Sequence, residues 1–191
     1  MVYVFDLDDT ICDTASFSEQ YILNFINKNK LPYKHIATGV RFAEMGFDWD
    51  RETALKWYLE YGDEMMLHFP LKKGVLEKVN KLYDAGHIII IATARANDWH
   101  VKPKEITEEW LKRVGLKYHK LYVGRVDKEA ICHDENADIF VDDDLKITSR
   151  VAEYFMEKKK SGRTFLSTTE YNKNMELPKG VERLDDLTMI P

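Results

Sequence analysis

Three apolar runs rich in β-branched residues each end in groups able to do chemistry. Val2-Tyr3-Val4-Phe5 leads into Asp6-Leu7-Asp8-Asp9-Thr10, His87-Ile88-Ile89-Ile90-Ile91-Ala92 into Thr93-Ala94-Arg95, and Asp138-Ile139-Phe140-Val141 into Asp142-Asp143-Asp144. Strand side chains alternate, so Asp6 and Asp8 project to one side and Leu7 to the other. Two carboxylates side by side at a buried strand end repel each other. A divalent cation between them, or a proton on one, removes the conflict. For a lone Asp-x-Asp the plain alternative is an acidic turn. What weighs against it here is that the other strand ends also carry polar groups. Lys128 adds to this, because a cation at the start of a helix opposes the macrodipole unless an anion shares the site.

The elements that position these groups follow from hydrophobic period. The first run is too continuously apolar for a half-wet sheet and reads as a strand buried on both faces. From Val75 onward strands and helices alternate. A helix from Val75 through Leu82 closes at Gly86, and the strand to Thr93 follows. Pro103 opens a helix that Gly115 ends, and Lys120 to Val123 is a third strand. Asp127 caps a short helix, Asp138 to Val141 is a fourth strand, and Ile147 to Glu157 is helical. Arg163 to Leu166 is expected as a fifth, edge strand. The tail from Pro178 is either loosely ordered or returns to the sheet by Val181 to Leu187. Such alternation predicts a three-layer α/β/α, doubly wound parallel sheet, Rossmann-like, whose carboxyl strand ends share one edge.

Residues 13–72 differ. Helical spacing runs from Phe17 to Ile26 after a cap at Thr14 or Ser16, and again from an Asp50 cap to Leu67, with a further helical stretch expected over Val40 to Met45. Nothing there alternates like a strand. The reading is a small helical cap, 13–72, inserted after the first strand into a core of 1–12 and 73–191. Its aromatics are expected mainly to fill its own core, a minority facing the acidic tip.

Composition narrows the partners. The chain has 191 residues, 45% hydrophobic and 32% charged, with net charge −5. That suits a globular fold and argues against a nucleic acid polymer held by general electrostatics. The Lys158-Lys159-Lys160 run reads as a solvated helix end. No apolar run reaches the ~20 residues a membrane span needs. No signal peptide is evident, and two cysteines are too few for a disulfide scaffold, so the expected setting is cytoplasmic. Cys12 is read as a small buried residue rather than a nucleophile.

Asp6-Leu7-Asp8-Asp9-Thr10, Thr93 after its strand, Lys128 and Asp142-Asp143 together resemble the four motifs of the haloacid-dehalogenase superfamily phosphatases. Residues 13–72 stand where that superfamily carries its first cap insertion. Within it, Thr93-Ala94-Arg95, Trp110-Leu111 and the Asp142-Asp143 pair are most similar to the 5′(3′)-deoxyribonucleotidase group, which usually has Gly where this chain has Asp9 and often Pro where it has Ala96. The resemblance implies Asp6 as nucleophile and Asp8 as acid and base. It implies Mg²⁺ among the Asp6 carboxylate, the Asp8 backbone carbonyl and Asp143, with Asp142 holding a metal-bound water or Lys128. Thr93, the backbone at Ala94 and Lys128 would bind the phosphate. Arg95 and the aromatics Phe17, Phe42 and Trp49 are candidate substrate contacts.

The implied activity is Mg²⁺-dependent hydrolysis of a small phosphomonoester through an aspartyl-phosphate, with a nucleoside 5′-monophosphate favoured. A sugar or other metabolite phosphate is the alternative. Carbon–halogen hydrolysis would leave Asp8 and the metal cluster without a role. A phospho-accepting signalling domain shares the inventory of acids, Thr and Lys. Such domains carry the phosphorylated Asp on a middle strand and have no helical insert after the first.

Overall fold

The computed structural model describes residues 1–191, Ala43 by its backbone alone. Six strands form one sheet: β1 (Val2–Phe5), β2 (Ile88–Thr93), β3 (Lys120–Val123), β4 (Ile139–Asp142), β5 (Arg163–Ser167) and β6 (Val181–Leu184), in the order β3-β2-β1-β4-β5-β6. Every pairing is parallel, with Val4 level with both Ile90 and Phe140. The alternation of β1 divides the interior. Tyr3 and Phe5 pack with the helices α3 (Val75–Asp84) and α4 (Pro103–Val114). Val4 packs on the other face, with residues of α5 (Lys128–Asp134) and α6 (Leu145–Glu157). Helices thus cover both faces, as the sequence predicts.

β5 is not the edge strand expected from the sequence. It is buried from Thr164 to Ser167, and β6 pairs alongside it from Val181 to Leu184. The tail therefore returns to the sheet. With β6 alongside, the backbone groups of β5 that an edge would leave unpaired are bonded. The chain ends against β1, where the Tyr3 hydroxyl donates to the Pro191 carbonyl at 2.6 Å.

Between β1 and α3 lie α1 (Ala15–Asn29) and α2 (Arg51–His68). The helix expected over Val40 to Met45 is only a 3-10 turn, Ala43–Gly46. A segment this short, with Gly39 at φ +61, does not repay helix nucleation. It is held by one antiparallel bridge, His35 to Phe47, in a region where no strand character is expected. The cap of α1 also differs. Thr14 takes the N-cap position as expected, but its side chain makes no capping bond; the Asp9 carboxylate accepts instead from Thr14 N at 2.9 Å and Ala15 N at 3.1 Å. Asp50 caps α2 as expected.

The aromatics of the insert join the cluster beneath Tyr3 and Phe5 rather than closing a separate core. One docking contact explains a glycine inside α2. A Cβ at Gly62 would lie 2.6 Å from His100 Nδ1. Next to it, Asp63 accepts from Val101 N and Lys102 N just ahead of α4, whose own cap residue supplies no side chain. The insert thus anchors the segment that leads into α4.

Candidate active site

The parallel sheet brings the ends of β1, β2 and β4 to one edge, with β1 between the other two. Lys128 enters from the first turn of α5 and is 5% exposed. Its ammonium donates to Asp6 Oδ1 and Asp142 Oδ2, both at 2.6 Å. Burial works against this charge, but the two carboxylates outweigh burial and raise its pKa. The other Asp142 oxygen accepts from Asp144 N at 2.8 Å, so both are engaged. Asp143, 7% exposed, completes a group in which ligand atoms of Asp6, Asp142 and Asp143 lie within 4.8 Å of one another.

Burial pushes the Asp6 carboxyl up to about 7, with Asp142 and Asp8 adding to the rise and Lys128 opposing it. Burial raises Asp143 as well, helped by Asp142 and Asp6. Burial is the larger cause of both shifts, and the surplus negative charge of three carboxylates facing one ammonium adds to it. Hard oxygen donors in this arrangement fit a divalent cation such as Mg²⁺, whose charge removes the surplus.

Asp8 is compensated differently. Arg95 grips it with two nitrogens, Nη2 at 2.7 Å from Oδ1 and Nε at 3.0 Å from Oδ2. Burial alone would raise the Asp8 carboxyl, yet the guanidinium holds it below its ordinary value. Arg95 is itself buried between Phe69 and Trp110 and reaches Thr107 Oγ1 at 3.3 Å. It points at Asp8 rather than into open space. Thr93 is fully buried, its hydroxyl 3.4 Å from Asp8 Oδ2, and Ala94 beside it is exposed. The edge thus collects Asp6, Asp8, Thr93, Lys128, Asp142 and Asp143.

Asp9 follows in the left-handed region, at φ +53. Glycine takes this conformation freely, and Asp tolerates it better than most residues. Capping α1 is what its carboxylate does there. The Asp9 carbonyl in turn receives the Lys72 ammonium, which also reaches Ser167 Oγ at 3.2 Å. Lys72 closes the insert, so one residue joins the acidic loop, the end of the insert and β5.

The aromatic candidates do not converge on this edge. Trp49 packs against Phe25, Phe47 and Trp57. Phe17 packs edge-on to Phe69 and beside Tyr21. Phe42 is 44% exposed, with the Arg41 guanidinium over its ring. A cavity of about 480 Å³ lies instead between the insert and the β5–β6 loop, lined by Asp9, Asp13, His35, Phe47, Lys72 and Tyr171 among others.

Three contacts around the acidic group escape sequence reasoning. The Tyr171 hydroxyl lies 2.6 Å from Asp143 Oδ2 and from the Asp143 carbonyl, and Asn172 Nδ2 donates to that carbonyl at 2.9 Å. Arg41, from the insert, pairs with Asp144 at 2.6 Å. Burial and the Asp143 charge push the Tyr171 hydroxyl up, so it stays a donor. Tyr171 and Asn172 lie outside any periodic segment, and only an Arg facing an acidic run hints at the third.

No protein-family model and no curated protein matches the chain. Solved structures do. CbbY from Rhodobacter sphaeroides, in complex with phosphate, is 15% identical, with 98% of this chain and 95% of that one covered at a TM-score of 0.63. A haloacid-dehalogenase-superfamily hydrolase from Geobacter sulfurreducens is 12% identical, covering 96% and 91% at 0.59. D,D-heptose 1,7-bisphosphate phosphatase from B. bronchiseptica, complexed with magnesium and phosphate, is 13% identical, covering 98% and 93% at 0.54. At these identities the likeness is one of fold: the chain shares the architecture of haloacid-dehalogenase-type hydrolases.

Proposed function

We propose that this protein is a Mg²⁺-dependent phosphomonoester hydrolase acting on a small phosphorylated metabolite through an aspartyl-phosphate. The observation that carries the reading is the Lys128 bridge between Asp6 and Asp142, beside Asp143 and two residues from the paired Asp8. Asp6 attacks phosphorus as the bond to the leaving oxygen breaks, and Asp8 delivers a proton to that oxygen. Water then attacks the aspartyl-phosphate, Asp8 takes its proton, and phosphate departs with Asp6 restored. The ionised form that Arg95 holds suits this second step. For the first, Asp8 has to carry a proton, which a neighbouring phosphate dianion favours.

Thr93, the Ala94 backbone and Lys128 hold the phosphate oxygens. Asp6, Asp143 and the Asp8 backbone carbonyl would hold Mg²⁺, with Asp142 behind them fixing Lys128. When bound, the ion supplies the positive charge that lets a carboxylate approach a phosphate.

The insert, 13–72, serves as a cap over this edge. A nucleoside 5′-monophosphate is the substrate favoured by the sequence motifs. A sugar or other polyhydroxylated phosphate is favoured by the hydrogen-bonding side chains that line the cavity, Asp13, Glu19, His35 and Lys72 among them, while Phe17 and Trp49 pack against other aromatics. The heptose bisphosphate phosphatase with a similar fold supports that second reading.

The test is phosphate release from panels of nucleoside monophosphates and sugar phosphates with Mg²⁺. Repeated turnover is expected. A single phosphorylation without turnover would point to a signalling domain, and no phosphate release from any monoester would overturn the assignment.

A further inference from the structure

We infer that Tyr171 is a positioning residue for Mg²⁺ at Asp143, a role that rests on the phosphatase reading above. Its hydroxyl lies 2.6 Å from both Asp143 Oδ2 and the Asp143 carbonyl, and since Asn172 Nδ2 already donates to that carbonyl, the one phenolic proton is available to the carboxylate. The other Asp143 carboxylate oxygen has no hydrogen-bond donor among the described residues. One oxygen is thus engaged and the other left as an acceptor for the ion.

The hydroxyl is itself held in place. Asn172, fully buried, ties the Asp143 carbonyl to the Ser167 carbonyl at the end of β5, with contacts of 2.9 and 2.8 Å. Tyr171 therefore stands in a turn after β5 that Asn172 ties to the strand end. It also forms part of the cavity wall, so it touches both the carboxylate and the space beside the insert. A free Asp143 side chain would sample rotamers in which neither oxygen faces Asp6. The phenol removes that freedom before the ion arrives, which is how outer partners raise metal affinity.

The experiment is titration calorimetry of the full chain with Mg²⁺, without substrate. Tyr171→Phe should weaken Mg²⁺ binding by about 10–100-fold, the usual effect of losing such a partner. Its melting midpoint in EDTA should stay near that of the unaltered protein, and turnover should recover at high Mg²⁺. Arg41→Ala, which removes a cation from the adjoining Asp144 but keeps Tyr171, should not weaken Mg²⁺ binding. Unchanged affinity in Tyr171→Phe, with the unaltered protein binding Mg²⁺, overturns the role of Tyr171 alone. Equal weakening in Arg41→Ala overturns it too, by showing that any loosening of the region has this effect. Absence of Mg²⁺ binding in the unaltered protein overturns both this inference and the reading beneath it.

Discussion

The sheet edge and the helical insert solve opposite problems with residues of opposite kind. At the edge, Asp6, Lys128, Asp142 and Asp143 are ionisable yet nearly inaccessible, and Lys128 holds Asp6 and Asp142 by ion pairs. In the insert, Phe25, Phe47, Trp49 and Trp57 are apolar and held by ring against ring. The difference teaches where each region is vulnerable. A buried ion group tolerates no uncompensated member, because each charge has been taken out of water. An aromatic cluster loses area in proportion to what is removed. Edge substitutions should therefore strike chemistry and electrostatics, and insert substitutions should strike stability.

The largest effect is expected from Asp6→Asn. Phosphate release should fall by a factor on the order of 10⁴ or more, as when a covalent nucleophile is lost. The circular dichroism spectrum should not change. Near-normal turnover would remove the distinction by showing that the edge is no catalytic centre.

Lys128→Ala comes next. It leaves Asp6 and Asp142 facing each other without their shared cation. The cost should be about 3–5 kcal/mol in urea unfolding near neutral pH. A loss below about 1 kcal/mol, the level of a surface pair, would mean the edge is wetter than its geometry indicates.

Trp49→Ala tests the other region. A partly buried indole should cost about 2–4 kcal/mol, somewhat under the full-burial range. Turnover of nucleotides and of p-nitrophenyl phosphate should fall together. Loss confined to nucleotides would turn Trp49 from packing into recognition and blur the contrast.

The pH response sharpens the comparison further, because the edge holds two buried carboxyls that are both raised. Burial raises Asp6 from 3.8 to about 7 and moves Asp143 the same way. Between those values the folded form holds more protons than the unfolded one, so stability falls as pH rises. Asp8, held low by Arg95, contributes in the opposite sense, its share lost only as pH drops below 3.8, and His100, lowered by burial from 6.5 to about 4, opposes part of the fall. In EDTA the melting midpoint should decline from about pH 4 to about pH 7, and added Mg²⁺ should raise it most at the upper end. A midpoint that climbs over this interval in EDTA would contradict the surplus of negative charge.

The smallest effect is expected at the seam. Gly62→Ala improves helix propensity by about 1 kcal/mol but forces the His100 ring aside. A net loss of about 1 kcal/mol should result, read in thermal melts. A net gain would show that the insert rests only loosely on α4.

Much of the edge was legible because a parallel sheet turns position in sequence into position in space. A buried strand has a period of two and one carboxyl end, so Asp6, Thr93 and Asp142 were destined for the same side once the strands were recognised. Lys128 stood out by opposing its helix dipole, and the structure shows the anions that resolve this. The sequence itself therefore determined the layered α/β fold, the order of its main elements and the carboxylate group. The tertiary structure decided what each remaining side chain meets. Arg95 turns to Asp8, Asp9 caps α1, Tyr171 finds Asp143, and the aromatics of the insert face one another. β6 reached the sheet edge by the same rule, since a short strand after an irregular stretch has no pattern to announce its partner. The physical reason is range: periodicity records which face a residue takes within its own element, whereas a contact between distant segments depends on how whole elements pack.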